Sequence, residues 1–361
     1  MDNLTHSLFG LTLARTPLGR GGRAATIALV LASNAPDIDI VTTAGGAAKY
    51  LAWHRGPTHG PLGVIGLGLI VAGLVVAGER LLDRTSRTTR DAFLNLWAIS
   101  SLGVVCHILM DLPTSYGTRP LSPFAWTWFT VDWMPIVDIY LLAILAAGLW
   151  FGRSAPARNA TFALLLMLLN YGVRATMHWQ ALRTAPAVFG AQLPERCNDA
   201  VMPGAPIDHW PRDTSLSPRD SSARRCVIEI AAMPDFISPF RWRLIAQLAN
   251  GYEVRAVNLL GLPNMPASNV RLIGVYYPNQ WTPAVAKAST APIARTFLGF
   301  SRFPSVRSVI DENGVATVIW TDLRFVIADN PASPRQRTPG VFGATIRVTP
   351  NGSVVSERLG S

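Results

Sequence analysis

Between Pro61 and Gly78 every residue is apolar, glycine or proline. A run of that length has two stable destinations, the centre of a large protein core or the hydrocarbon of a bilayer. Comparable blocks follow at Phe93–Met110, Trp133–Gly152 and Ala160–His178, each near the ~20 residues that cross a bilayer core. Ala24–Val41 is a weaker block, broken by Pro36 and two carboxylates, and Leu4–Leu18 is shorter still. Together they predict an α+β membrane protein that opens, over residues 1–180, with a transmembrane bundle of about five to six helices. Whether the first helix crosses completely stays open. Beyond residue 180 the apolar blocks stop and turn-punctuated, alternating sequence begins.

The connections between blocks separate by charge. Arg15, Arg20 and Arg23, then Arg80, Arg84, Arg87 and Arg90, then Arg153 and Arg158 fall on one side, whereas the other holds Lys49, Arg55 and Arg119. Basic loops stay in the cytoplasm, so the N-terminus, the loops 43–60 and 113–132 and the C-terminal region are expected outside, the periplasmic side of a bacterial inner membrane. The formal charge of +10 is accounted for in part by those arginines and forms no basic stripe, so no nucleic-acid partner is expected. The acidic opening Met1-Asp2 lacks the basic start of a cleaved leader.

Five segments carry candidate chemistry, and the helix count places all of them at one membrane face. His6 begins helix one, and Asp37 and Asp39 end helix two, where carboxylates are costly in hydrocarbon unless solvated, paired or bound to a cation. His54, Arg55 and His59 lead into helix three. His107 and Asp111, at i and i+4, project from one helix face as a chelating pair. Asp132 and Asp138 flank helix five. A lone interfacial histidine is more often a hydrogen-bonding residue than a ligand, but four of the six histidines gather here beside three aspartates. Mixed imidazole and carboxylate donors suit a divalent transition metal, zinc first, with manganese or iron as alternatives. Seven candidates, His6, Asp37, Asp39, His54, His59, His107 and Asp111, exceed one four-coordinate site, which favours more than one ion. In that reading His54, Arg55 and Asp111 serve catalysis, with Arg55 as a natural phosphate contact.

These segments resemble the family of membrane-bound, predicted metal-dependent hydrolases that includes LexA-regulated inner-membrane members of enteric bacteria. The matching pieces are Met1-Asp2 with Thr5-His6 and Gly10, Pro36-Asp37-Ile38-Asp39, His54-Arg55-Gly56 with Thr58-His59, and His107 with Asp111 and Thr114-Ser115-Tyr116-Gly117-Thr118. Weaker likeness continues at Ser238–Arg243 and Thr321–Phe325, and Gly60 departs from the serine that relatives often carry. The order of His, Asp and His-x-x-x-Asp is also similar, distantly, to zinc-dependent phospholipase C and nuclease families. The resemblance implies hydrolysis, and a site at the membrane face points to a lipid or lipid-linked phosphoester. Two other classes compete: a non-catalytic membrane protein stapled by metal, whose β domain binds a partner, and a transporter. No repeats support the latter.

Residues 181–225, rich in Pro, Arg, Asp and Ser, read as an irregular linker, and residues 226–361 as a β-rich extracytoplasmic domain of six to eight strands. Strands are expected at Val227–Ala231, Phe240–Leu248, Tyr252–Leu259, Val315–Leu323 and Thr345–Thr349, with turns at Asn250-Gly251 and Asn351-Gly352. Trp242 and Trp320 are candidate substrate contacts or, more simply, packing residues. Cys197 and Cys226 either pair in an oxidising compartment or remain free thiols.

Overall fold

A computed structural model of the protein describes residues 1–82, 89–151, 155–189, 195, 197, 207–211, 226–260, 275–326 and 342–360. Arg84, Arg87, Arg153 and most of the expected 181–225 linker lie outside the described residues. The chain forms two compact units, one of residues 1–44 and 53–176, the other of residues 45–52 and 177–361.

The first unit is helical. In chain order it contains α1 (Asn3–Ala14), α2 (Gly22–Ala32) and most of a 3-10 segment, Ala35–Gly45; the short α3 (Ala47–Trp53) then leads into a 3-10 turn, Pro57–His59. These are followed by α4 (Pro61–Leu82), α5 (Arg90–Asp111), the short strand β1 (Trp128–Thr130), α6 (Ile139–Phe151) and the first turns of α7 (Pro156–Phe189). Among the described residues the expected five to six spans become three helices long and apolar enough to cross, α4, α5 and α7, or four if α2 and Ala35–Gly45, bent by 44°, form one broken span. The difference is one of length: the 12 residues of α1 and 13 of α6 reach about 18–20 Å, short of the ~30 Å hydrocarbon core. Composition over Trp133–Gly152 does not register that 133–138 is irregular and that the helix starts only at Ile139.

Small residues let the helices approach. A Cβ on Gly10 of α1 would lie 3.0 Å from the Leu29 carbonyl of α2, and one on Gly103 of α5 only 2.8 Å from Ala32. Close backbone contact of this kind replaces the hydrophobic driving force that lipid does not provide. One apolar cluster joins Phe9, Leu13, Leu29, Met110 and Leu141, and a second joins Ala28, Val71, Val75, Leu96 and Val104. Asp138 accepts from the Leu141 backbone N–H at the start of α6 and pairs with Arg174 of α7 at 2.6 Å, both side chains fully buried.

The second unit contains β2 (Asp208–Trp210) and two antiparallel four-stranded sheets. One has the order β3 (Val227–Pro234), β4 (Arg241–Leu248), β5 (Gly251–Asn258), β6 (Val275–Pro278). After it come the helices α8 (Pro283–Ala288) and α9 (Pro292–Phe300), then a sheet of β7 (Pro304–Ile310), β8 (Ala316–Asp322), β9 (Gly343–Val348) and β10 (Val354–Leu359). Strands β6 and β7 and both short helices are additions to the sequence expectation. Leu248 pairs with Gly251, which makes Ala249-Asn250 the two-residue turn, one position earlier than expected. Gly352, with φ of +81°, occupies the left-handed position its turn requires. Trp242 and Trp320 are buried in the core, so they pack the sheets and do not present a binding surface. The expected linker also begins later than position 181: α7 continues to Phe189, and its Ala181, Ala185 and Val188 pack on Trp242, Leu244 and Val257.

Cys197 and Cys226 are joined, leaving Cys106 as the free cysteine. Maleimide titration of the denatured, unreduced protein is therefore expected to find one reactive thiol, rising to three after reduction. Closing a loop of this separation, 29 residues, stabilises the unit by about 3.6 kcal/mol in the chain-entropy account.

Candidate metal centre

The site is assembled where helices end. Helix α2 stops at Ala32, because Pro36 has no N–H with which to continue the ladder and the Asp37 N–H bonds to the Asn34 carbonyl at 3.2 Å in a tighter turn. A continuous helix would have used that N–H on Ser33. The Ser33 carbonyl instead meets His107 Nδ1 at 2.8 Å. A carbonyl only accepts, so Nδ1 carries the hydrogen and the lone pair of His107 is on Nε2.

That lone pair points into a ring of donors. His107 Nε2 is 3.2 Å from His59 Nε2, 3.5 Å from Asp37 Oδ1 and 3.5 Å from Asp111 Oδ2. His59 Nε2 is in turn 3.5 Å from Asp111 Oδ2 and 3.9 Å from Asp37 Oδ1. One ligand atom from each of Asp37, His59, His107 and Asp111 lies within 4.8 Å of all the others. Four convergent donors of this type match a four-coordinate metal site. Burial holds the pKa of His59 well below its ordinary value, with further lowering from the charges of His107 and Arg55, so the ring stays in its neutral, ligating form.

The remaining three sequence candidates surround this group and are not members of it. His6 is fully buried, neither ring nitrogen has a hydrogen-bond partner among the described residues, and its ring stacks on His107 at 3.8 Å. Its Nε2 is 3.5 Å from Asp111 Oδ1, the oxygen that also receives the Met1 amine. Asp39 binds His54 Nδ1 through Oδ1 at 3.2 Å and accepts the Arg55 backbone N–H through Oδ2 at 2.6 Å. Burial lowers the pKa of His54, opposed by its bond to Asp39.

Arg55 is a built-in positioning residue. With φ of +52° it adopts a left-handed conformation uncommon outside glycine, which directs its N–H to Asp39 and its side chain inward. The guanidinium contacts Asp111 Oδ2 at 3.0 Å and the Gly117 carbonyl at 2.8 Å, and lies over the Tyr116 ring. These contacts tie the guanidinium to Asp111 and to the loop that carries Tyr116 and Gly117. Asp132 and Asp138, flagged beside helix five, are not in the group: Asp132 bonds Thr130 and Asp138 pairs with Arg174.

A second loop, 114–128, holds the His54–Gly60 turn from outside. Arg119 donates to the His54 carbonyl and stacks over Trp126 and Trp128. A Cβ on Gly60 would lie 1.7 Å from the Ser122 carbonyl oxygen and one on Gly56 3.2 Å from the Trp126 ring. The serine expected at position 60 from relatives therefore has no room in this chain. Residue spacing does not reveal such backbone contacts; the glycines bracketing Pro57–His59 were the available signal.

Comparison with known proteins gives a family but no activity. Residues 1–181 match the family model described as YdjM inner membrane protein. Over 193 residues, 51% of this chain and 56% of the relative, the sequence is 27% identical to the uncharacterized protein YfhP of Bacillus subtilis (strain 168). The chain thus spans little more than half the length of that relative. No solved structure matches it.

Proposed function

The chain belongs to the YdjM inner membrane protein family, and on the chemistry of its buried site we propose that it is a metal-dependent hydrolase acting on phosphoesters of lipid or lipid-linked substrates. The observation that carries the reading is the convergence of Asp37, His59, His107 and Asp111, with the His107 tautomer set by the Ser33 carbonyl. Two neutral imidazoles 3.2 Å apart at their Nε2 atoms, between two carboxylates, form a coordination shell more readily than a hydrogen-bond network.

In this proposal the four donors hold one divalent ion, zinc before manganese or iron, and His6 adds a further donor toward Asp111. The ion supplies Lewis acidity, for activating water and withdrawing charge from a phosphoryl group. Arg55 holds the Asp111 carboxylate in position. Asp39 orients His54 through Nδ1, the arrangement of an acid–base pair, with the His54 ring centroid 6.5 Å from that of His59. The second unit is assigned to the extracytoplasmic side, on the loop arginines and on the Cys197–Cys226 bond, of a kind that persists in oxidising compartments.

The test is turnover of p-nitrophenyl phosphate and bis(p-nitrophenyl) phosphate by detergent-purified protein. Hydrolysis is expected that chelation abolishes and a divalent metal restores. A protein that binds metal, melts when chelated and hydrolyses neither ester would instead be metal-stapled and non-catalytic.

A further inference from the structure

The segment Ala35–Gly45 is inverted relative to a helix at the surface of a soluble protein. Its acids face inward, Asp39 being 6% exposed and the Asp37 side chain 16%. Its aliphatic residues face outward: Ile38 is 55%, Ile40 58% and Val41 63% exposed. In water this exposes apolar surface while carboxylates are buried; against hydrocarbon the same arrangement is the favourable one.

The other flank of the site repeats the pattern. Leu121, Phe124 and Trp126 are exposed on the loop that packs on Gly56 and Gly60, the glycines bracketing the turn that carries His59. Asp37, on the inverted segment, is the least buried of the four donors. The exposed residues on the two segments that flank the site are therefore aliphatic and aromatic.

The identity of its cover follows from continuity. Ala35–Gly45 follows α2 in the chain, and the two together qualify as a broken span or re-entrant loop, so the exposed Ile38, Ile40 and Val41 sit on a segment apolar enough to enter the bilayer. We propose that the metal site is entered sideways from the bilayer, past Asp37. Its substrate is then an amphiphile whose phosphoester reaches the donors while its hydrocarbon tail stays among Ile38, Ile40 and Val41. This inference rests on the metal-dependent hydrolase reading above and adds the route by which its substrate reaches the site.

The test places nitroxide labels on full-length protein in lipid nanodiscs, in a Cys106→Ser background where the other two cysteines are joined. Ile40→Cys is compared with Leu74→Cys within α4 and with Asn313→Cys in the β7–β8 turn. Collision rates with oxygen and with a water-soluble nickel chelate are measured, and metal content is determined on the same samples. The oxygen-to-chelate ratio at residue 40 is expected to match that of residue 74 and to exceed that of residue 313 several-fold. A ratio equal to that of residue 313 in protein that keeps its metal overturns the lateral route and leaves the metal site standing. A lipid-like ratio in protein that binds no metal ends the metal reading and, with it, the substrate assignment.

Discussion

His107→Ala protein is expected to emerge from purification almost free of transition metal, whereas the unmodified protein is expected to carry about one ion per chain. The imidazole nitrogen lies 3.5 Å or less from each of the other three donors. Losing an outer-shell partner of a ligand typically lowers affinity 10–100-fold; losing this central donor should lower it by more than the upper end of that range. Because His107 is fully buried and stacked on His6, the alanine variant also leaves a cavity. His107→Gln, which fills more of that space, serves as a second variant. Elemental analysis of the folded fraction of each decides the matter: full metal content in either would show that the ion is held elsewhere or not at all.

Gly60→Ser is expected to disable the site through the backbone, although it adds a residue that the sequence alone marks as acceptable. A Cβ at position 60 falls 1.7 Å from the Ser122 carbonyl oxygen and 2.8 Å from its carbon. Both are main-chain atoms, so no side-chain rotation relieves the overlap. Either the Pro57–His59 turn or the 119–126 loop must move. Overpacking a well-filled region costs about 1–3 kcal/mol and can cost more. Here the turn that yields is the one positioning His59, so metal content should fall together with thermal stability. Thermal melts and elemental analysis of the variant, with Gly66→Ser as a control where a Cβ meets nothing within 4 Å, separate a local collision from a general intolerance of serine. Wild-type metal content and melting behaviour in Gly60→Ser would mean that the close approach of the two loops is not a feature of the protein in solution.

The features legible in the sequence have a short-range geometric basis. His107 and Asp111 are four apart on a helix, so their shared face follows from helical rotation. Asp37 follows a proline that ends a helix. Both readings required only local rules. The number of crossings did not follow from composition, because α1 and α6 are apolar without being long. Their apolar residues, such as Phe9, Leu13 and Leu141, fill the interior of the bundle. The role of Arg55 was likewise not readable: its left-handed backbone and its reach to the Gly117 carbonyl depend on a loop some sixty residues away. In the second unit, alternation located β3, β4, β5, β8 and β9, whereas the tryptophans singled out for recognition are interior, the ordinary place for large aromatic side chains in packed sheets.

The interruption after Ala32 carries an implication for any mutational survey of this protein. The group that decides which nitrogen of His107 holds its hydrogen is a main-chain oxygen, so trimming the side chain at position 33 would leave it in place, and a scan by alanine would pass over it without a signal. The sensitive position is Pro36, which interrupts the helical ladder at Ala32, so that the Asp37 N–H turns to the Asn34 carbonyl and leaves the Ser33 oxygen to His107.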